Sequence, residues 1–591
     1  MTPATAATDP TAPGRLDEAV DRLREGAPRW ARASLPERIA LARSMLAGVA
    51  RTAERAVRAA CQAKGTDLDH PLAGEDWLMG PFITARILRQ LIGSLEHVAR
   101  RGEPPLGPLG ETQDGRLSAR IFPARPLDRV LFPGVSGEVH FEEGVTAAAE
   151  REARARFFKA PDHGGRVVLI LGAGNVNAIA PTDVAAKLFN EGKACLLKLN
   201  PVNAYLGPIL EDAFAAAIAR GVLAVVQGGA EEGAYLAGHA GIDEVHVTGS
   251  DRTHEALVWG PPGPERAARL ARGAPLLEKP VTSELGNVTP VLVVPGPWDD
   301  ATLRVQAESV AGMLTTNGAF NCTAARVLVT PRGWRRREPF LRAVEAGLAA
   351  SPARPPWYPG ASDRYRSFTD GRTEVRRVGP AGEALPWALV PGLDPEARDP
   401  AFGSECFCPV LSETSVGSED PLAFLEEAVD FANARLWGTL CAHLVVHPAT
   451  LADPTLGRAV ERAIRRLRYG SVSVNCYAGY AFGFGTAPWG AYPGSTLSDV
   501  QSGRGFVHNT LMLERVEKAV IRAPSRPPLK PVYFPSHRTV QRIGPRLVRL
   551  EALGRLRELP AIALAAARGQ SAPIPRPGDS PPRPYPVDLE P

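Results

Sequence analysis

The sequence predicts an α/β protein built on parallel sheets, and two observations carry that prediction. Between residues 166 and 250 four short apolar runs alternate with helical blocks: Val167-Val168-Leu169-Ile170-Leu171, Ala194-Cys195-Leu196-Leu197-Lys198-Leu199, Leu223-Ala224-Val225-Val226 and Val245-His246-Val247. A strand covered on both faces is apolar throughout rather than alternately, and the strand, helix, strand order gives parallel pairing. The rhythm returns after residue 322, with strands over 326–330, 440–446 and 471–475 and helices over 337–349 and 460–466.

The flanks read differently. Helical spacing of Ala19, Leu23, Ile39, Leu41, Ala42, Met45 and Leu46 makes 16–64 helical, and 77–99 is a second such block. Between 116 and 143, Leu117-Ser118-Ala119-Arg120-Ile121-Phe122 and Arg129-Val130-Leu131-Phe132 lie between Pro and Gly breaks and read as a pair of strands. After Pro524 the composition turns to Pro, Arg and Leu. There Leu547, Leu550, Leu553, Leu556 and Leu559, with Arg546, Arg549, Arg555 and Arg557 between them, predict a short basic amphipathic helix ending near Pro560. Its expected place is the protein's own surface or a second subunit, with peripheral membrane contact the lesser alternative. The last twenty residues are too Pro-rich to fold.

A chain of 591 residues outgrows one core, so two or three domains are expected. With 44% hydrophobic and 22% charged residues it has a globular composition, and its apolar runs fall short of the roughly 18 residues that cross a bilayer. No transmembrane segment is expected. The first ten residues lack the basic start and apolar centre of a signal peptide, which favours the cytoplasm. A formal charge of +4, without Lys/Arg runs interleaved with aromatics, excludes a nucleic-acid groove. Seven scattered cysteines make no disulfide framework. His443 and His447, an even number apart in an apolar strand, share a face without an evident third ligand, so no metal is expected.

Cys322 stands apart from the other cysteines. It lies in Asn317-Gly318-Ala319-Phe320-Asn321-Cys322, between a Gly-containing turn and an apolar strand, an exposed corner where a thiol can react. A thiol of ordinary pKa is only about 3% thiolate near neutrality, so a nucleophilic cysteine needs neighbours to ionise and position it. Candidate neighbours are scattered along the chain. Gly172-Ala173-Gly174-Asn175-Val176-Asn177 joins a strand to a helix and admits three readings: a dinucleotide phosphate loop lacking its third glycine, with Glu191 at ribose distance; a plain turn; or a catalytic turn carrying Asn175. Lys198 ends the next strand, at the sheet edge where nucleotides bind, or is a solvated strand end. Val247-Thr248-Gly249-Ser250 offers N–H groups and a hydroxyl at a helix start, or is simply a cap. Thr282-Ser283-Glu284-Leu285-Gly286-Asn287 sets a carboxylate in a Gly-broken segment, and Glu405-Cys406-Phe407 puts a carboxylate and an aromatic ring before Pro409.

In this order the motifs resemble those of the aldehyde dehydrogenase superfamily: an Asn turn, a strand-end Lys, a Thr-Gly-Ser helix start, Glu-Leu-Gly, an Asn-Gly…Cys loop and Glu-x-Phe. The resemblance spans roughly 20–524 and includes Val474-Asn475-Cys476 and Pro488-Trp489-Gly490-Ala491-Tyr492. It implies a Rossmann-type cofactor domain, an α/β catalytic domain and a β oligomerisation arm. The implied boundaries are a tail at 1–15, an NAD(P)-binding domain at 16–290 with oligomerisation strands about 116–143, a catalytic domain at 291–485, a return segment and oligomerisation strand at 486–524, and an extension at 525–591.

The same resemblance implies oxidation of an aldehyde to a carboxylic acid with NAD or NADP. Cys322 would be the nucleophile, passing through a thiohemiacetal and a thioester, Asn175 an oxyanion donor and Glu284 the general base. Lys198, Pro201, Gly249, Ser250, Gly286, Glu405 and Phe407 would line the cofactor site. Pro201 stands where NAD-preferring relatives carry a Glu, so a 2′-phosphate is not repelled. Asn287 replaces the second Gly after Glu-Leu, and the segment 259–280 is longer than usual. A homodimer or homotetramer is expected. The alternatives are a CoA-acylating or acyl-reducing relative, which Glu284 argues against, and a catalytically silent scaffold. The aldehyde itself is not legible.

Overall fold

In the computed structural model, residues 10–160, 164–352, 354–379 and 384–570 are described; the expectation for the last twenty residues lies outside them. A six-stranded sheet runs in the order Gly503–Arg504, Val281–Leu285, Glu244–Gly249, Val167–Leu171, Ala194–Lys198, Leu223–Val226. Its last five strands are mutually parallel. Every residue of Val167–Leu171 and Ala194–Lys198 is buried. Helices cover both faces, so continuous apolar runs are what these positions demand, each buried Val or Leu contributing roughly 1.5–3 kcal/mol.

The second sheet has eleven strands. Seven neighbours are parallel, in the order Val516–Arg522, Ser471–Val474, Cys441–Val445, Thr289–Val293, Ala325–Pro331, Val410–Val416, Trp387–Leu393. Ser136–Phe141, Leu117–Phe122 and Leu109–Glu111 extend one edge antiparallel. The chain changes sheet four times: after Ser136–Phe141 it enters the six-stranded sheet, after Val281–Leu285 it enters the eleven-stranded one at Thr289–Val293, at Gly503–Arg504 it returns to pair with Ser283 and Glu284, and at Val516–Arg522 it leaves again.

Three expectations are corrected. Pro126–Leu131 is a helix, not a strand: Pro126 opens it, Asp128 accepts from the backbone N–H of Arg125, and the partner of Leu117–Phe122 is Ser136–Phe141 instead. His447 lies beyond the strand Cys441–Val445, capping the next helix through Nδ1, so it does not share a strand face with His443. Past Pro524, the leucine repeat is two helices, Val540–Leu553 and Leu559–Gln570, separated at Gly554, whose left-handed φ of 65° ends the first. Pro560 opens the second helix, a position where its missing N–H costs nothing.

The 525–570 segment is keyed into the body. A Cβ on Gly544 would sit 2.3 Å from Trp77 Cβ, and one on Gly74 2.6 Å from Val540 Cβ, so the first of these helices packs backbone-close on the N-terminal helices. Glu551, fully buried, accepts from Arg86 at 2.9 Å and Arg125 at 2.7 Å, and Arg86 also donates to buried Asp128 at 2.9 Å. Ahead of it, Tyr533 hydrogen-bonds Ser309 at 2.9 Å and Ser536 N–H donates to Glu308 at 2.9 Å. The outer side leaves Leu553, Leu556 and Leu564 exposed. No helix among the described residues is long and apolar enough to cross a membrane.

Candidate active site

Cys322 follows the buried helix Asp300–Thr315 and precedes the strand Ala325–Pro331. Between them Asn317, Gly318 and Ala319 take φ of 58°, 68° and 71°. Two non-glycine residues in that region are costly, on the order of 1–3 kcal/mol each, and need compensation. Asn317 supplies it: its Nδ2 donates to Asn175 O at 2.9 Å and Phe320 O at 3.2 Å, its Oδ1 accepts from Lys64 at 2.9 Å, and its N–H donates to Glu75 at 3.1 Å. The buried Arg326 guanidinium then ties the loop to the Glu405 segment, donating to Ala319 O at 2.7 Å and Cys408 O at 2.9 Å. So held, Cys322 stays partly accessible and lines an internal cavity of about 240 Å³.

Glu284 lies in the strand Val281–Leu285, which brings its carboxyl close enough to the Cys322 thiol for the two to influence each other's ionisation. Burial pushes its carboxyl up to about 7, against the thiol and the Trp489 indole N–H, which donates to Oε1 at 3.3 Å. Burial, and then the charges of Glu284 and Glu405, drive the Cys322 thiol well above its ordinary range. The thiol therefore stays protonated until a base takes the proton, and Glu284 is within reach and half-ionised near neutrality. A further carboxyl, Asp183, is held at about 8 by burial; Thr248 Oγ1 donates to it at 2.8 Å, and Glu284 raises it further.

Asn175 is buried in the turn after Val167–Leu171, its Nδ2 donating to Phe320 O at 3.0 Å beside Cys322. The glycines of that turn serve packing. A Cβ on Gly174 would meet Asn200 Oδ1 at 2.6 Å, and Asn203 Nδ2 donates to Ala173 O at 2.9 Å, so protein groups fill the place a phosphate loop keeps open. Of the three readings, the phosphate loop is the one this packing disfavours. Glu191 is at the wrong end of the sheet for a ribose: it precedes Ala194–Lys198 and pairs with Lys187 at 3.0 Å.

Lys198, Gly249 and Ser250 lie at the carboxyl ends of the parallel strands on either side of Val167–Leu171. Lys198 Nζ donates to Leu199 O at 3.3 Å and feels the charge of Glu232. Gly249 has open space around it, while Ser250 Oγ caps the helix Asp251–Trp259 through Thr253 N–H at 3.2 Å. Pro201 opens a short turn, Pro201–Leu206, that Asn200 caps. Across the cleft, Glu405 lies against Gly286, where a Cβ would come within 2.2 Å of its Oε2. Its Oε1 is buried without a partner, and burial holds the carboxyl at about 8. Phe407 has a left-handed φ of 42° and packs with Tyr358 at 4.9 Å and Phe320 at 6.0 Å between ring centroids. Asn287 is fully buried and structural: Nδ2 donates to Cys441 O at 2.8 Å and Thr289 Oγ1 at 3.0 Å.

Sequence reasoning missed Trp489 as a partner of Glu284, Arg326 as the tie between loops, Asn317 as the lock of the nucleophile loop, and the 525–570 segment as a cavity wall. The Pro-Trp-Gly run flagged Trp489 without a role, and an arginine opening an otherwise apolar strand was the available signal for Arg326.

Residues 143–357 match the model of the aldehyde dehydrogenase family. The betaine aldehyde dehydrogenase of Amaranthus hypochondriacus is 26% identical over 321 residues, covering 50% of this chain and 56% of that protein. The N-succinylglutamate 5-semialdehyde dehydrogenase of Ectopseudomonas mendocina is 26% identical, covering 54% and 52%. The chain thus spans about half the length of the curated relatives it matches. In fold it is similar to the NADP-dependent glyceraldehyde-3-phosphate dehydrogenase of Bacillus halodurans, solved with NADP, at a TM-score of 0.57 and 17% identity over 86% of this chain and 91% of that one. An aldehyde dehydrogenase of Mycobacterium tuberculosis, solved with NAD+, gives 0.56 and 18% over 88% and 91%. Residues 143–357 are thus similar to the aldehyde dehydrogenase family, and the fold of the chain is that of solved aldehyde dehydrogenases.

Proposed function

We propose that the protein oxidises an aldehyde to the carboxylic acid with NAD or NADP. The observation that carries the proposal is the pairing of the partly accessible Cys322 with the buried Glu284, a thiol beside a carboxyl held at about 7. In this reading Glu284 takes the thiol proton as the sulfur attacks the carbonyl carbon. The resulting oxyanion is received by the Cys322 N–H and the second N–H of Asn175, whose first is spent on Phe320 O. Removing such a donor typically costs on the order of a hundredfold or more in rate. A bound nicotinamide cofactor would supply the hydride acceptor for the carbon held by Cys322, at the site that Glu405, Gly249 and Ser250 would form. After releasing its proton to solvent, Glu284 deprotonates a water, which attacks the thioester, frees the acid and restores Cys322.

The chain offers groups that suit such a cofactor. Glu405 keeps a buried oxygen unpartnered and fits ribose hydroxyls, and Gly249 with Ser250 leaves open space at a helix start for a pyrophosphate. Lys198 fits the adenine ribose, Gly286 makes room for Glu405, and Phe407 packs on the nicotinamide side. Pro201 supplies no carboxylate against a 2′-phosphate, so NADP is accepted as well as NAD. We assign the six-stranded sheet to cofactor binding and the eleven-stranded one to catalysis, with the domain boundaries expected above. A homodimer or homotetramer, in which a second subunit covers the exposed edge strand Leu109–Glu111, accords with the need to protect such edges.

The test is reduced-nicotinamide formation with short, long and aromatic aldehydes, with NAD and with NADP, beside Cys322→Ala. Activity lost in the variant is expected. Activity that survives it, or silence with every aldehyde in a protein that still binds the cofactor, would overturn the proposal.

A further inference from the structure

We propose that the substrate is an aliphatic aldehyde with a long uncharged chain, and that the outer part of its binding tunnel is built by residues 525–570. The inference rests on the aldehyde-oxidising reading of Cys322. One cavity is lined both by Cys322 and by residues of the C-terminal helices, Ile543, Leu547, Ile562 and Ala566 among them. Near the Asn175 turn, Val176 and Ile179 contribute, and these belong to the same buried cluster as Ile543, Leu547 and Ile562. At about 240 Å³ the cavity holds about eight water-sized groups of roughly 30 Å³ each, the bulk of a similar number of chain carbons.

The lining decides the chemistry of the chain. No Asp or Glu lines the cavity among the described residues. An ω-ammonio aldehyde would therefore lose its hydration and meet no opposite charge. His537 is held at about 4 by burial and is neutral at pH 7; Lys530, which also lines the cavity, is lowered from its ordinary value by burial, with Glu308 acting the other way, and its ammonium further disfavours an ω-ammonio chain. The wall is fixed, since Tyr533 is tied to Ser309, Ser536 to Glu308, and Gly544 is pressed on Trp77. A rigid apolar tunnel takes its selectivity from methylene burial, which multiplies kcat/KM by about four for each methylene enclosed.

Two measurements test this on the full chain. First, kcat/KM from propanal to dodecanal is expected to rise about fourfold per methylene and level off at about eight carbons. Ala566→Phe, which fills the outer tunnel, is expected to lower the decanal-to-propanal ratio of kcat/KM about tenfold or more. Second, Cys322→Ala, which cannot turn over, is expected to bind octanal about a hundredfold or more tighter than propanal by calorimetry. Turnover independent of chain length, or a preference for ω-ammonio or ω-carboxy aldehydes of equal length, would overturn the tunnel inference while leaving the oxidation in place. No turnover with any aldehyde, alongside chain-length-dependent binding to Cys322→Ala, would overturn the oxidation and support the tunnel.

Discussion

Replacing Trp489 by Phe isolates what sets the basicity of Glu284. The indole N–H donates to Glu284 Oε1 at 3.3 Å and so favours the ionised carboxyl, while the ring is buried and Phe preserves most of its packing. A hydrogen bond of that length is worth about 1 kcal/mol, and 1.36 kcal/mol corresponds to one pH unit, so its loss moves the Glu284 ionisation alkaline by about 0.7. From a starting value of about 7, the ionised fraction at pH 7 falls from about one half to about one sixth, a threefold loss, and is unchanged above about pH 9. The assay is kcat against pH at saturating aldehyde and cofactor, with a pre-steady-state burst to show that thioester hydrolysis limits turnover. An inflection that stays in place, or moves to lower pH, would refute the reasoning. Glu284→Gln should remove the limb altogether.

Three further outcomes are expected. Glu551→Ala strands the fully buried Arg86 without one of its two carboxylate partners and should cost about 3–5 kcal/mol, read as a fall in Tm by calorimetry; an unchanged Tm would mean that the cluster contributes nothing. Glu232→Gln removes the carboxylate charge beside Lys198 and should shift the NADP-to-NAD ratio of kcat/KM toward NADP by up to about fivefold, since the site is partly solvated; a shift toward NAD would contradict it. Asp183 has a folded value of about 8 against about 3.9 unfolded, so the stability of its protonated form is complete below the unfolded value and lost as pH rises through the folded one. Asp183→Asn should therefore raise Tm at pH 9 and gain nothing at pH 4, and an equal gain at both would show that ionisation is not the cause.

The parallel strands were legible because a strand buried on both faces leaves a continuous apolar run, as in Val167–Leu171. Arg129-Val130-Leu131-Phe132 misled for the same reason in reverse: four residues of apolar character suit either element, and Pro126 and Asp128 decided for a helix through the N-terminal backbone. The candidates Cys322, Glu284 and Asn175 could be proposed because the chemistry restricts residue type. What sets their environment could not. Trp489 and Arg326 act through contacts separated by 205 and 82 positions, and no local pattern encodes which side chain arrives. The 525–570 helices were half legible: leucine spacing announced an apolar stripe, but only packing shows that Leu547 covers the cavity and Leu556 faces solvent.

The ion cluster joining Arg86 to Glu551 links positions 465 residues apart. During synthesis the N-terminal helices must wait, with one side of their core uncovered, for almost the whole remaining chain to be made. Chaperone dependence during expression should accordingly concentrate in the interval before residues 540–553 emerge, when the apolar side of the N-terminal helices is still open to water.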